Sequence, residues 1–300
     1  MTILTTKSDR KIQNILFPGG MVFLISFCCL MLFAGCGNLP QGRFGQEAIK
    51  VAVLPSYSTT VMSKKFIPLL ERMSRETGYD VQYISAEGIS GFGAAIENSG
   101  AQMAICDALT YLTLKKTRDA VLLAVGCGTD GSLQTAGLVV APLNGPAELS
   151  QLRGRTVCCA SRRLADGFLS PAMSLLEAGI DPGRDIKVLV VGQLDRVIPA
   201  LDRGSGQAGF IPRQLWNDSL AGSYRVLAEG RPVSHWLLVS LQGGHSEADE
   251  KIKEAVLGLD SAKPDDSKLL SSLGLSRFED GRNIDLSRFP ALADSLGLPY

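Results

Sequence analysis

The chain has 300 residues, 45% of them hydrophobic and 20% charged, with 32 glycines and 14 prolines. That length suits about two domains with a sizeable core, and the composition excludes a disordered, collagen-like or coiled-coil protein. Thirty basic and thirty acidic residues cancel, leaving no basic footprint for nucleic acid, and His235 and His245 match no zinc spacing. No metal and no cofactor is expected.

From the N-terminus, Lys7, Arg10 and Lys11 precede an uncharged apolar run, Met21–Gly35. At 15 residues the run is shorter than the roughly 20 needed to span a membrane, and has the length of a signal-peptide core. It ends in Phe33-Ala34-Gly35-Cys36, and small residues before a cysteine resemble the bacterial lipoprotein signal. Residues 1–35 are then a signal peptide, Cys36 is the lipidated mature N-terminus, and 36–48 form a flexible tether. A short membrane anchor with an incidental cysteine is the alternative. The expectation is an exported chain, held at the cell envelope by lipid rather than by a span.

Beyond the tether, strand and helix patterns alternate. Ile49–Leu54 is a β-rich run. Val61–Glu76 places Met62, Phe66, Leu69, Leu70 and Met73 on one helical face, and Gly78 ends it. Strands are expected at Val81–Ile84, Met103–Cys106, Val121–Val125, Leu138–Ala141, Thr156–Ala160, Val188–Val191, Ala208–Ile211, Tyr224–Ala228 and Trp236–Leu241. Helices are expected at Phe92–Asn98, Phe168–Ala178, Arg196–Asp202, Pro212–Ser219 and Glu247–Leu257, the last capped by Ser246 with Asp249. This alternation predicts an α/β fold with largely parallel sheets. Cys106 and Cys127 each fall near a strand end and either pair or stay thiols. Cys158 and Cys159 point to opposite faces of one strand.

Several segments carry a resemblance. Pro55, Phe66–Val81, Leu149–Val157, Gly167–Pro171, Leu175–Pro182, Val191-Gly192, Val197–Leu201 and Arg277-Phe278 follow one another as in the phosphate, phosphite and phosphonate-binding proteins of ABC importers. The chain resembles that family over about residues 49–300. The resemblance implies a type II periplasmic binding fold, with two lobes joined by two crossing strands near residues 134–141 and 231–237. Lobe one is then 49–136 with 236–300, and lobe two is 137–235. Such lobes close on ligand about a hinge.

The binding positions depart from that family. Its Ser-Thr-Ser-Gly at the helix start in lobe two is replaced by Leu164-Ala165-Asp166-Gly167. Its histidine falls near Leu194, its acidic residue after the next glycine at Gln207, and its lobe-one aspartate at Met103. Tyr111 keeps an aromatic position of the family. The cleft is expected to be lined by Tyr57 and Ser58 after the first strand, Thr110 and Tyr111 after the third, and Ser161, Arg162 and Arg163 after the first strand of lobe two. Arg162 and Arg163 either clamp a carboxylate or phosphate or stay solvated. Asp166 either faces the ligand or caps the helix that follows it. Tyr57 and Tyr111 either line the site or pack in the core.

The function this implies is a non-enzymatic, monomeric, membrane-tethered binding protein that passes a small polar ligand to an ABC importer permease. The alternative partner is a membrane sensor. With a carboxylate where the anion would bind, a cationic or neutral ligand head is expected near Asp166 rather than phosphate or methylphosphonate.

Overall fold

The structure is a computed structural model and describes residues 48–298. The signal segment, Cys36 and the tether up to residue 47 lie outside the described residues. The first half of the chain runs β1 (Ala48–Val53), α1 (Thr59–Thr77), β2 (Asp80–Ile84), α2 (Phe92–Ser99), β3 (Met103–Cys106), α3 (Ala108–Thr117) and β4 (Val121–Gly128). Then come β5 (Gly137–Pro142), β6 (Thr156–Cys159), α4 (Ser170–Glu177), β7 (Lys187–Val190), α5 (Val197–Asp202), β8 (Ala208–Pro212), α6 (Asp218–Ala221) and β9 (Tyr224–Glu229). The chain closes with β10 (Leu237–Ser240), α7 (Glu247–Leu257), α8 (Pro264–Leu273), β11 (Leu275–Asp280) and α9 (Phe289–Ser295).

Periodicity accounts for the strongest elements. All five apolar residues read onto one face of α1 are buried, and Gly78 ends the helix in the left-handed region, its amide bonded to Ser74 O. Helix α3 escaped that reading because Leu109, Leu112 and Leu114 favour no single face, although Asp107 caps it. Elements α8, β11 and α9 were also not anticipated. The helix expected over Pro212–Ser219 is broken into a 3₁₀ turn at Arg213–Leu215 and the short α6. The helix expected from Phe168 begins instead with a π-helical turn, Ala165–Leu169, before α4.

Two sheets form, in the orders β11-β4-β10-β3-β1-β2 and β7-β6-β8-β5-β9. They are mixed rather than largely parallel. In the first, β1 pairs parallel with β2 and β3, while β10 runs against β3 and β4, and β11 against β4. In the second, β6 pairs parallel with β7 and β8, while β5 runs against β8 and β9. The reason is topological. The chain passes from the first sheet to the second between β4 and β5 and returns between β9 and β10. Each crossing delivers the next strand to the end where its new neighbours finish, so that strand must run antiparallel to them. A bridge between Thr135 and Val233 ties the two crossings together.

The packing is apolar and interdigitated. Phe66 meets Trp236 edge-on at 4.7 Å between ring centroids, and Phe168 meets Phe210 likewise at 5.7 Å. Such pairs add about 0.5–1.5 kcal/mol beyond burial itself. Cys106, Cys127, Cys158 and Cys159 are free and buried. Strand β10 lies between β3 and β4, which separates Cys106 from Cys127 by about 10 Å, beyond disulfide reach. Among the described residues no helix is long and apolar enough to cross a membrane, and no His, Cys, Asp and Glu cluster forms a metal-binding group.

Candidate functional site

The ends of β1, β3, β6, β7 and β8 and the second crossing converge between the two sheets. After β1 come Ser56, Tyr57 and Ser58; after β3, Asp107; after β6, Ala165 and Asp166; after β7, Gln193, Leu194 and Asp195. Direct bonds link these loops across the sheets. Ala165 N donates to Asp107 Oδ2 at 2.6 Å, while Thr110 N donates to Asp107 Oδ1 at 2.8 Å. Ser58 N donates to Asp195 Oδ1 at 3.0 Å, and Leu194 N donates to Ser56 O at 2.8 Å.

Asp166 lies at the centre, fully excluded from solvent. It is inside the π turn and does not cap it; the preceding Leu164 holds the cap position, with no side-chain bond. Its Oδ2 accepts from Gln214 Nε2 at 3.2 Å and lies 2.5 Å from His235 Nδ1. That imidazole contact is close but too poorly aligned to be a directed hydrogen bond. The turn is held from behind by both crossings. Gly137 N donates to Ser170 Oγ at 2.7 Å, and that hydroxyl donates to Arg231 O at 2.6 Å. Only glycine fits at these approaches: a Cβ on Gly137 would fall 2.1 Å from Asp166 O, and one on Gly230 would fall 1.9 Å from Ser170 O.

The electrostatics are dominated by carboxylates. Burial pushes Asp107 up to about 6, opposed by the Ala165 and Thr110 amides and reinforced by Asp166. Burial, then the charges of Asp166 and Asp195, hold the Tyr57 hydroxyl far above its ordinary range. Of the six described residues with a buried side-chain N or O lacking a hydrogen-bond partner, four lie here, at Ser56 Oγ, Asp166 Oδ1, Gln193 Oε1 and the ring nitrogens of His235; the other two are Arg72 and Arg225. Buried polar atoms are ordinarily paired, so this concentration marks the site. Three cavities flank it. One of about 440 Å³ is lined by Tyr57, Tyr83, Glu87 and Gln193; one of about 320 Å³ by Leu54, Thr110 and Arg163; one of about 480 Å³ by Gln214, Trp216 and His235.

The residues expected to line the cleft divide into three groups. Tyr57 is buried against the carboxylates, Ser58 and Thr110 contribute backbone amides, and Asp166 is central. Tyr111, on α3, is buried with its hydroxyl at the Leu122 backbone. Ser161 Oγ accepts from Arg163 N at 3.1 Å within its own loop. Arg162 and Arg163 are exposed; the first stacks over Phe168 at 5.6 Å and the second edges the 320 Å³ cavity. Gln207 lies at the other end of its sheet, where its Oε1 accepts from Thr156 N at the start of β6. Sequence reasoning missed Ser56, Asp107, Gln193, Asp195, Gln214 and His235. Asp107 alone left a signal, the cap pattern Asp107-Ala-Leu-Thr110 after a strand.

Comparison with known proteins agrees with this architecture. Residues 51–286 match the family model described as ABC transporter, phosphonate, periplasmic substrate-binding protein. The phosphate-import protein PhnD of Mycolicibacterium smegmatis is 22% identical over 200 residues, a match spanning 61% of this chain and 62% of that relative. Among solved structures, PhnD1 of Prochlorococcus marinus in complex with methylphosphonate superposes with a TM-score of 0.72 at 17% identity, covering 83% of this chain and 98% of that one. A binding component of a Pseudomonas aeruginosa phosphonate transporter gives 0.68 at 15%, covering 84% and 96%. A Xanthomonas citri protein bound to ATP gives 0.66 at 16%, covering 83% and 98%. The mixed two-sheet architecture is the type II periplasmic binding protein fold. With its family model matched over most of its length, the chain belongs to the periplasmic substrate-binding proteins of phosphonate ABC transporters.

Proposed function

We propose that the chain is the solute-binding component of an ABC importer, with a ligand pocket that has diverged from its family. It is exported, held at the membrane by lipid on Cys36, monomeric, and delivers a small polar ligand to a permease. Residues 49–136 with 236–300 act as one lobe and 137–235 as the other, the two crossings serving as the hinge. The reading is carried by the set of buried, unpaired polar atoms gathered where the two sheets meet, at Ser56, Asp166, Gln193 and His235. Family membership supports the transport role, and the carboxylates at Asp107 and Asp166 support divergence of the pocket.

Thermal-shift screening of the full chain against oxyanions, amino acids and amines, followed by solution scattering with the best hit, tests it. Binding should reduce the radius of gyration as the lobes close. A saturating ligand that leaves the scattering curve unchanged would remove the hinge mechanism. Separately, Cys36→Ala should abolish labelling by a radioactive fatty acid, and persistent labelling would refute the anchor.

A further inference from the structure

Resting on that reading, we propose that Asp107 is the specificity-determining residue of the site: its carboxylate takes the place of a ligand oxyanion, and the site accepts a small organic cation instead. The start of the helical segment in the second sheet is where an anion finds amides and a favourable dipole. Here the Ala165 amide at that start is already bound, at 2.6 Å, by a carboxylate from the other sheet. The second oxygen of the same carboxylate is engaged by Thr110 N, so Asp107 is anchored from both sides of the site.

Charge and hydrogen-bonding capacity point the same way. Asp107 and Asp166 are both buried, and Asp195 joins them across the cleft through Ser58. An incoming phosphonate would meet three carboxylates, while Arg162 and Arg163 remain at the exposed rim. What the site offers is acceptor capacity. Asp166 Oδ1 and Gln193 Oε1 only accept, Ser56 Oγ can do so, and all three are buried and unpaired. Facing the Asp166 charge there is one imidazole, His235, in poor alignment. A ligand with an ammonium or guanidinium head supplies the donors and the charge that these atoms lack. The Tyr57 ring, buried beside Asp166 and Asp195, already has the Lys65 ammonium 5.6 Å from its centroid, so this wall is one that takes a cation.

Calorimetry on the full chain in detergent, with methylphosphonate, ethanolamine and methylguanidine as probes, tests this. The wild type should bind at least one of the two cations and give no heat with methylphosphonate. Asp166→Asn should weaken cation binding by about tenfold or more. Asp107→Ser keeps a hydroxyl cap for Thr110 N while freeing the Ala165 amide, and should gain about tenfold or more in methylphosphonate affinity. Asp107→Asn keeps the shape, loses the charge and can accept from only one of the Ala165 and Thr110 amides, and should gain in the same direction. Wild-type methylphosphonate binding as tight as that of Asp107→Ser would overturn the inference while leaving the transport reading intact. Cooperatively folded Asp107 variants that gain nothing would overturn it too. Compaction on binding, read by scattering, judges the transport reading by itself: a probe that binds without closing the lobes counts against that reading and not against the ligand class.

Discussion

Helix α7 begins with its own residues. Ser246 Oγ accepts from the Asp249 amide at 3.0 Å, and Asp249 Oδ2 accepts from the Ser246 amide at 3.1 Å, a reciprocal cap within four residues. The π turn and α4 begin with help from elsewhere. The Ala165 amide is satisfied by Asp107, 58 residues away in sequence, and Ser170 is held by the two crossings at Gly137 and Arg231. The first start is local and part-buried, with Ser246 exposed and Asp249 buried, and its job is to stop a helix fraying. The second is buried and borrowed, so its stability depends on the two sheets being held together. A helix start that depends on distant groups shifts when they shift.

The largest effect expected from this difference is at the crossings. Gly230→Ala would drive a methyl group into Ser170 O, and should cost about 3 kcal/mol or more, the top of the range for overpacked cores. Urea denaturation measures it; a midpoint equal to wild type would mean that the start of α4 can shift freely and is not clamped.

Next in size is the pH dependence of Asp107. Its carboxyl rests at about 6 in the folded chain, above the ordinary aspartate range, because burial disfavours the ionised form. The folded state therefore holds this proton to higher pH than the unfolded state does. This group's contribution to stability is then most favourable below about pH 4 and is lost as pH rises through 6, by roughly 2–3 kcal/mol in all. Asp107→Asn should flatten the stability difference over that window in paired denaturation series. Parallel curves for the two proteins would place the ionisation elsewhere. The smallest effect belongs to the local cap. Ser246→Ala should cost about 1 kcal/mol at all pH values between 5 and 8 and leave binding of any ligand unchanged; a change in affinity on that substitution would break the contrast between the two starts.

Local patterns were legible in advance wherever a few neighbouring residues decide the outcome. The five-residue apolar face of α1, the Gly78 stop and the Ser246–Asp249 cap needed nothing beyond short-range spacing. Tyr57, from its place after a strand, and Asp166, from the family resemblance, were expected in the cleft, but their surroundings could not be read. Asp166 was open to reading as a helix cap, and the structure places it inside a π turn against His235 and Gln214. Arg162 and Arg163 were open to two readings, a ligand clamp or solvated loop residues, and both are exposed, with Arg162 over the Phe168 ring.

The sequence by itself determined that this is an α/β chain of alternating strands and helices, since hydrophobic periodicity and capping act over four or five residues and need no partner. Only the tertiary structure decided that the sheets are mixed, because the direction of β5 and β10 depends on where each crossing enters its new sheet. It also decided that Asp107 reaches Ala165, that both glycines of the crossings press on the π turn, and that the unpaired acceptors gather in one place. Those contacts join segments about 30 to 140 residues apart, and no local pattern encodes them. They exist because folding brings strand ends from two sheets to one seam, where burial strips water from every polar group and makes each unpaired atom matter.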